Sequence, residues 1–83
     1  MRKNTQEVFN AWQSNESKGK HGDSISTDGQ TIYSYHTRLL FASLYPENLL
    51  LNMTKYSNTT SRQQGDLRYH LSQANIEYRQ VEL

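Results

Sequence analysis

The residues best suited to chemistry fall in one stretch, residues 55–69, where cations and tyrosines alternate with hydroxyl and amide side chains. Lysine and arginine neutralise phosphates, and the free N–H groups at a helix N-terminus favour an anion. Amide and guanidinium groups can read base edges, and tyrosine rings can stack on bases. The predicted phosphate contacts are Lys55, Arg62 and Arg68, together with Arg38 from the preceding β-rich run. The predicted secondary nucleic-acid contacts are Asn58, Gln63 and Tyr69.

The same stretch also has a purely structural explanation. Thr60 with Gln63, and Ser61 with Gln64, have the spacing of a helix-capping pair. Hydroxyl and amide side chains around residue 60 are therefore equally typical of a well-capped helix start that contacts no ligand.

Catalytic and metal-binding patterns are weak in this chain. The three histidines, at positions 21, 36 and 70, are scattered and match neither H-x₃-H nor H-E-x-x-H. Asp66 and His70 lie one helical turn apart, which suits acid–base work but is better explained as a surface pair. The chain has no cysteine, which excludes disulfides, zinc ribbons, iron–sulfur sites and thiol nucleophiles. We therefore expect a non-enzymatic protein with no metal and no cofactor.

Composition indicates one small, polar, folded domain spanning residues 1–83. A chain of this length buries only about 60–65% of its unfolded surface, so a homodimer would be a sensible way to bury more. The formal net charge of +1 is too balanced for a DNA mimic and too small for binding DNA by bulk charge, which leaves a local basic patch.

Targeting signals are absent from the sequence pattern. No apolar segment follows Arg2 and Lys3, and no apolar run approaches the length that spans a membrane. These features predict a cytoplasmic protein without membrane contact.

Around the central stretch, the periodicity predicts the element order α-β-β-β-α-β. The first helix covers residues 5–15 and places Val8, Phe9 and Trp12 on one face. That face is expected to dock on the sheet, with Trp12 as a partner-binding hot spot in the alternative interpretation. The second helix covers residues 60–74 and ends at Asn75.

The strands are predicted from alternation and turn chemistry. A short strand at 24–27 precedes the hairpin signal Asp28-Gly29, and residues 31–44 alternate as a β-rich run that forms either one long strand or two. In that run Tyr33, Tyr35, Leu39 and Phe41 are predicted to face the helices, and Ser34, His36 and Arg38 to face outward. A turn at 45–48 leads to a strand at 49–56, with Leu49, Leu51 and Met53 inward and Asn52 outward, and residues 76–83 form the last strand. The expected fold is a small two-layer α+β domain with two helices and an antiparallel sheet of three to four strands.

Two motifs resemble a family of short, uncharacterised proteins carried by bacteriophages and other mobile elements. The first, S-x-S-T-D-G-x-x-x-Y-S-Y, occupies Ser24–Tyr35, and the second, a T-T-S-x-x-Q helix start, lies within Tyr56–Gln64. The likeness covers roughly residues 5–71, and the chain departs from the pattern at Gln64, where a less polar residue is expected. The resemblance brings no function with it, but it implies a phage or mobile-element origin and expression inside a bacterial host.

The sequence thus predicts a small binding protein that acts in the host cytoplasm and associates with DNA or RNA through the 55–69 surface. The alternative is an inhibitor or modulator that binds a host defence or regulatory protein, through Trp12 or through an edge strand at 24–27 or 76–82.

Overall fold

A computed structural model describes residues 3–43 and 48–83 and confirms the α+β class. The predicted turn at 45–48 lies mostly outside the described residues. One strand more than predicted is present, and the order is α-β-β-β-β-α-β. The elements are α1 (Lys3–Gln13), β1 (Ser26–Thr27), β2 (Ile32–Ser34), β3 (Thr37–Ala42), β4 (Leu49–Asn52), α2 (Asn58–Gln73) and β5 (Arg79–Val81).

The five strands form one mixed sheet in the order β1-β2-β3-β4-β5. The first four are antiparallel neighbours, but β4 and β5 run parallel. The prediction of an antiparallel sheet is therefore wrong at its last pair. The physical reason is that α2 carries the chain back along the sheet, so β5 starts at the same end as β4.

The run 31–44, predicted as one strand or two, is two strands divided by a tight turn after Ser34. Tyr35 has a φ of 56°, a left-handed conformation that ends β2 and reverses the chain into β3. The facing of β2, before this turn, is the reverse of the predicted one, because the apolar Ile32 and not Tyr33 lies in the core. Ile32 and Ser34 are buried whereas Tyr35 is exposed, so the predicted inward position of Tyr35 and outward position of Ser34 are both wrong.

A β-bulge in β3 moves its side chains further from the predicted alternation. Ile32 pairs with Leu40 and Tyr33 pairs with Arg38, which leaves Leu39 as the extra residue. Leu39 and Leu40 are consequently both fully buried in the core. Beyond the bulge Phe41 points to the opposite face, which corrects its predicted inward position.

Both helices pack on one face of the sheet. Phe9 of α1 and Leu67 and Leu71 of α2 belong to the same buried cluster as Leu40 and Leu51. This places the core between the helix layer and what we call the inner face of the sheet.

The helix ends differ from the predicted ones. α1 begins before residue 5, and α2 begins at Asn58 because Ser57, not Thr60 or Ser61, caps it: its Oγ accepts a 3.2 Å hydrogen bond from the Thr60 N–H. The predicted end at Asn75 is confirmed by its φ of 55°. Within the described residues, neither helix is long and apolar enough to cross a membrane.

Candidate functional site

The face of the sheet opposite the helices carries an aromatic and cationic surface. Leu40 and Leu51 pair across β3 and β4 and both point into the core, so their strand neighbours point outward. We name this surface the outer sheet face and define it by Arg38, Phe41, Leu50, Asn52, Tyr56, Arg79 and Val81.

Charge on the outer sheet face has one sign. Arg38 and Arg79 are both exposed, and the outward strand positions described in β3, β4 and β5 include no carboxylate. Glu77, just before β5, lines a pocket together with Arg79, and Glu82 follows β5, so both acids border this face; Glu47, before β4, lies outside the described residues. The chain as a whole is almost neutral, so this face is locally more basic than its composition implies.

Arg38 is held in place by an aromatic ring. Its guanidinium carbon lies 4.4 Å from the centre of the Phe41 ring, a cation–π contact. Phe41 is only 7% exposed. The bulge at Leu39 creates this contact, because it brings residues 38 and 41 to the same face.

A buried amide joins this arginine to a tyrosine. Asn52 is fully buried, and its Nδ2 donates hydrogen bonds to the Arg38 carbonyl at 3.1 Å and to the Tyr56 hydroxyl at 3.0 Å. Its Oδ1 accepts a third bond from the Thr54 N–H at 3.0 Å. Tyr56 is 47% exposed, so its ring is accessible although its hydroxyl is anchored. The predicted outward direction of Asn52 is correct, but the side chain is buried beneath Tyr56 and not exposed to solvent.

The predicted nucleic-acid contacts do not form one surface. Arg38 belongs to the outer sheet face, and Lys55, exposed, directly precedes Tyr56 of that face. The remaining exposed residues stand on α2, whose Leu67 and Leu71 face the sheet. Their side chains therefore point away from the sheet, on the other side of the molecule from Arg38. These residues are Asn58, Arg62, Arg68 and Tyr69.

Gln63 is the one predicted contact that a ligand cannot reach. It is 2% exposed, and its Nε2 donates a 2.7 Å hydrogen bond to the Ser24 carbonyl. Its Oε1 is buried without a hydrogen-bond partner. Gln63 holds α2 against the segment before β1, and we remove it from the proposed contacts.

Two histidines meet beside the outer sheet face. The rings of His21 and His36 have centres 4.7 Å apart, and His21 also contacts the Tyr33 ring edge-on at 4.7 Å. Hydrogen bonds between residues 22–23 and Tyr35 hold the two loops together. Among the described residues, no three histidines or carboxylates come close enough to hold a metal ion.

Trp12 lines a separate groove beside α1. Its Nε1 donates a 3.0 Å hydrogen bond to the Gln30 carbonyl, and its ring packs against the core. The groove has a volume of about 460 Å³, and its apolar lining includes Ala42, Leu49 and Ile76. Trp12 is thus partly a core residue, and the rest of its side chain lines the groove.

The third histidine, His70, is buried against α1. Its ring stacks on Phe9 with ring centres 5.0 Å apart, and its Nε2 has no hydrogen-bond partner. Burial lowers the pKa of His70, and the nearby charge of Asp66 opposes this effect to a smaller extent. The prediction that Asp66 and His70 form a surface pair is therefore wrong for His70, which is buried. The charge of Asp66 nevertheless acts on the His70 ring.

The sequence motifs at Ser24–Tyr35 and Tyr56–Gln64 have structural roles at the β1–β2 hairpin and the α2 start. Asp28 Oδ1 accepts from the N–H groups of Gln30 and Thr31, and Gly29 supplies the φ of 98° that the turn needs. The hydroxyls of Ser34 and Thr60 then join the first motif to the second.

Sequence reasoning missed Asn52, Phe41 and Arg79 as members of a surface, and it grouped Tyr56 with residues of α2 instead of with them. The aromatic and basic residue types were visible, but their common face depends on the bulge and on the position of β5.

No protein family model, curated protein or solved structure matches this chain.

Proposed function

We propose that this protein is a small non-enzymatic binding protein that associates with nucleic acid through the outer sheet face. The motif resemblance supports an origin in a bacteriophage or other mobile element, and hence action in the cytoplasm of a bacterial host. Arg38 and Arg79 supply the phosphate contacts, and Lys55 adds a third cation next to them.

The observation that carries this proposal is the pairing of cations with aromatic rings on a surface whose defining residues include no carboxylate, with Glu77 at its border. Two exposed arginines on such a face attract a polyanion, although the whole chain carries a net charge of only +1. The Phe41 ring fixes the Arg38 guanidinium, so less side-chain entropy is lost when it contacts a phosphate or a base. A protein surface rich in acidic side chains would also suit the two arginines, but it would make no use of the exposed Tyr56 ring as a stacking partner.

The experiment compares two pairs of arginines that carry equal charge on opposite sides of the protein. Fluorescence anisotropy with a labelled 20-nucleotide oligonucleotide is measured for the wild type, for Arg38→Ala/Arg79→Ala and for Arg62→Ala/Arg68→Ala. We expect the first variant to lose most of its affinity and to show a weaker salt dependence, because each lost phosphate contact removes about 0.7 from the slope on a single strand. Both variants change only exposed side chains and should fold, which circular dichroism checks.

The control pair also tests the sequence-based prediction of a site on residues 55–69. Loss of binding in Arg62→Ala/Arg68→Ala alone would move the site to α2. Equal small losses in both variants would indicate diffuse charge attraction and would overturn the proposed site.

A second candidate function, inhibition or modulation of a host protein, is favoured by the groove beside Trp12. Its apolar lining suits an apolar side chain of a protein partner. A pull-down of tagged protein from host lysate, with and without nuclease, separates the two functions. A protein band that survives nuclease and is lost in Trp12→Ala supports this candidate; recovery of nucleic acid that is lost at higher salt supports the outer sheet face.

A further inference from the structure

We infer that the nucleic acid bound by the outer sheet face is single-stranded, and that its bases stack on Tyr56 and on the Arg38 guanidinium. This inference rests on the proposed function and names the class of ligand for that same site. It depends on three observations: the exposed Tyr56 ring, the arginine layered on Phe41, and the buried amide between them.

The Tyr56 ring is an accessible and pre-oriented stacking platform. It is 47% exposed, yet its hydroxyl is fixed by the fully buried Asn52. Stacking on a ring that is already held in place avoids the entropy cost of ordering a free side chain. An exposed tyrosine with no such anchor would offer the same area at a higher cost.

Arg38 provides the second platform. Its guanidinium carbon lies 4.4 Å from the centre of the Phe41 ring, and the residue is exposed, so a base can reach the guanidinium from solvent. Guanidinium planes stack on bases as aromatic rings do, and they add a cation–π contribution. The Asn52 side chain that anchors the Tyr56 hydroxyl also bonds the Arg38 carbonyl, so the same buried residue holds the backbone from which Arg38 projects.

A duplex fits this face poorly. Its base faces are stacked inside, so it would present only phosphates to the two platforms. No described helix projects from this face to enter a groove, since α1 and α2 both lie on the inner face. A single strand exposes both bases and phosphates and can use aromatic rings and cations together.

The test measures the affinity of the whole protein for a labelled single strand and for the same sequence as a duplex, at several salt concentrations. Four variants are compared: Tyr56→Leu, Tyr56→Phe, Arg38→Lys and Tyr69→Leu. Tyr69 is the matched control because its ring is 52% exposed on α2, away from the outer sheet face. Circular dichroism establishes that each variant is folded.

We expect the single strand to bind at least about tenfold more tightly than the duplex. Tyr56→Leu should weaken single-strand binding about tenfold without changing the salt slope, because a stacked base but no phosphate contact is lost. Tyr56→Phe keeps the ring but loses its hydroxyl anchor, so it should weaken single-strand binding less than Tyr56→Leu does. Arg38→Lys should keep the salt slope but lose affinity, because it retains the charge and removes the plane. Tyr69→Leu should bind like the wild type.

The outcomes separate this inference from the proposed function. Equal binding of duplex and single strand, or equal effects of Tyr56→Leu and Tyr69→Leu, would overturn the inference and leave nucleic-acid association in place. Absence of binding to either form at low salt would overturn the proposed function itself.

Discussion

The hydroxyls of Ser34 and Thr60 lie 3.1 Å apart and share a buried hydrogen bond between the end of β2 and the first turn of α2. Thr60 Oγ1 also accepts a bond from the Ser57 hydroxyl, the residue that caps the helix. This relationship ties the position of α2 on the sheet to its own N-terminal cap. The start of α2 is therefore fixed by tertiary contacts, which a helix boundary drawn from local spacing alone does not capture.

Replacing Ser34 by alanine should lower the free energy of unfolding by about 1–2 kcal/mol, because Thr60 would lose a buried partner. Urea denaturation followed by Trp12 fluorescence measures this change. Ser72→Ala, on the exposed side of α2, is the control and should change stability by less than about 0.5 kcal/mol. Equal effects of the two substitutions would show that the hydroxyl pair contributes nothing.

Gln64 is expected to be among the more costly polar positions to truncate. Its Nε2 donates to the carbonyls of Asn52 at 2.7 Å and Thr54 at 2.9 Å, and the residue is 2% exposed. Gln64→Ala would leave both carbonyls without this donor and open a small void, with an expected loss of about 2–3 kcal/mol. Gln73→Ala, an exposed change on the same helix, should be close to neutral in the same denaturation experiment. A neutral Gln64→Ala would contradict the role assigned to these bonds.

Gly65 should respond to substitution in the opposite direction from Gly29. A Cβ at Gly65 meets no atom within 4 Å outside its own helix backbone, so no close approach of another element requires a glycine there. Gly65→Ala should raise the free energy of unfolding by about 0.5–1 kcal/mol through the lower entropy of the unfolded chain. Thermal denaturation measures the rise.

Gly29 provides the contrasting substitution. Its φ is 98°, and a Cβ there would lie 2.9 Å from the carbonyl oxygen of Asn15. Gly29→Ala should therefore destabilise the protein by more than about 1 kcal/mol. Destabilisation by Gly65→Ala, or tolerance of Gly29→Ala, would contradict the backbone geometry.

Stability should fall as the pH drops below 6.5 because of His70. Burial lowers the pKa of His70 below its ordinary value of 6.5, so the unfolded chain binds a proton that the folded chain excludes. The contribution of His70 to stability is thus fully present above pH 6.5 and is lost as the pH falls toward its folded pKa.

Urea denaturation at several pH values measures the slope, and His70→Gln should reduce it. Gln73→Ala is the control, since it changes an exposed residue with no titratable group and should leave the pH dependence as in the wild type. A slope that survives in His70→Gln would assign the pH dependence to another group.

The sequence by itself determined the class of the fold, the two helices and the hairpin at Asp28-Gly29. These features depend on local chemistry: apolar residues at helical spacing, a glycine with positive φ and a carboxylate that caps a turn. The inward positions of Leu49, Leu51 and Met53 also followed from simple alternation.

Tertiary structure decided which polar side chains face solvent. Gln63 and Gln64 have the composition of a contact surface, yet both amides are buried because nearby carbonyls need donors. Arg62 and Arg68, on the same helix, remain outside. Local sequence cannot distinguish these cases, because the partners of the amides lie 10 to 39 residues away.

The outer sheet face likewise exists only in three dimensions. Alternation placed Arg38 and Phe41 on opposite sides of one long strand, whereas the bulge at Leu39 puts them on the same side and in contact. A single extra residue in a strand moves every later side chain of that strand to the opposite face of the sheet. The sequence does not reveal this bulge, because Leu39 and Leu40 are both apolar core residues. The residue types of the proposed site were therefore readable from the sequence, but their assembly into one surface was set by the pairing of strands.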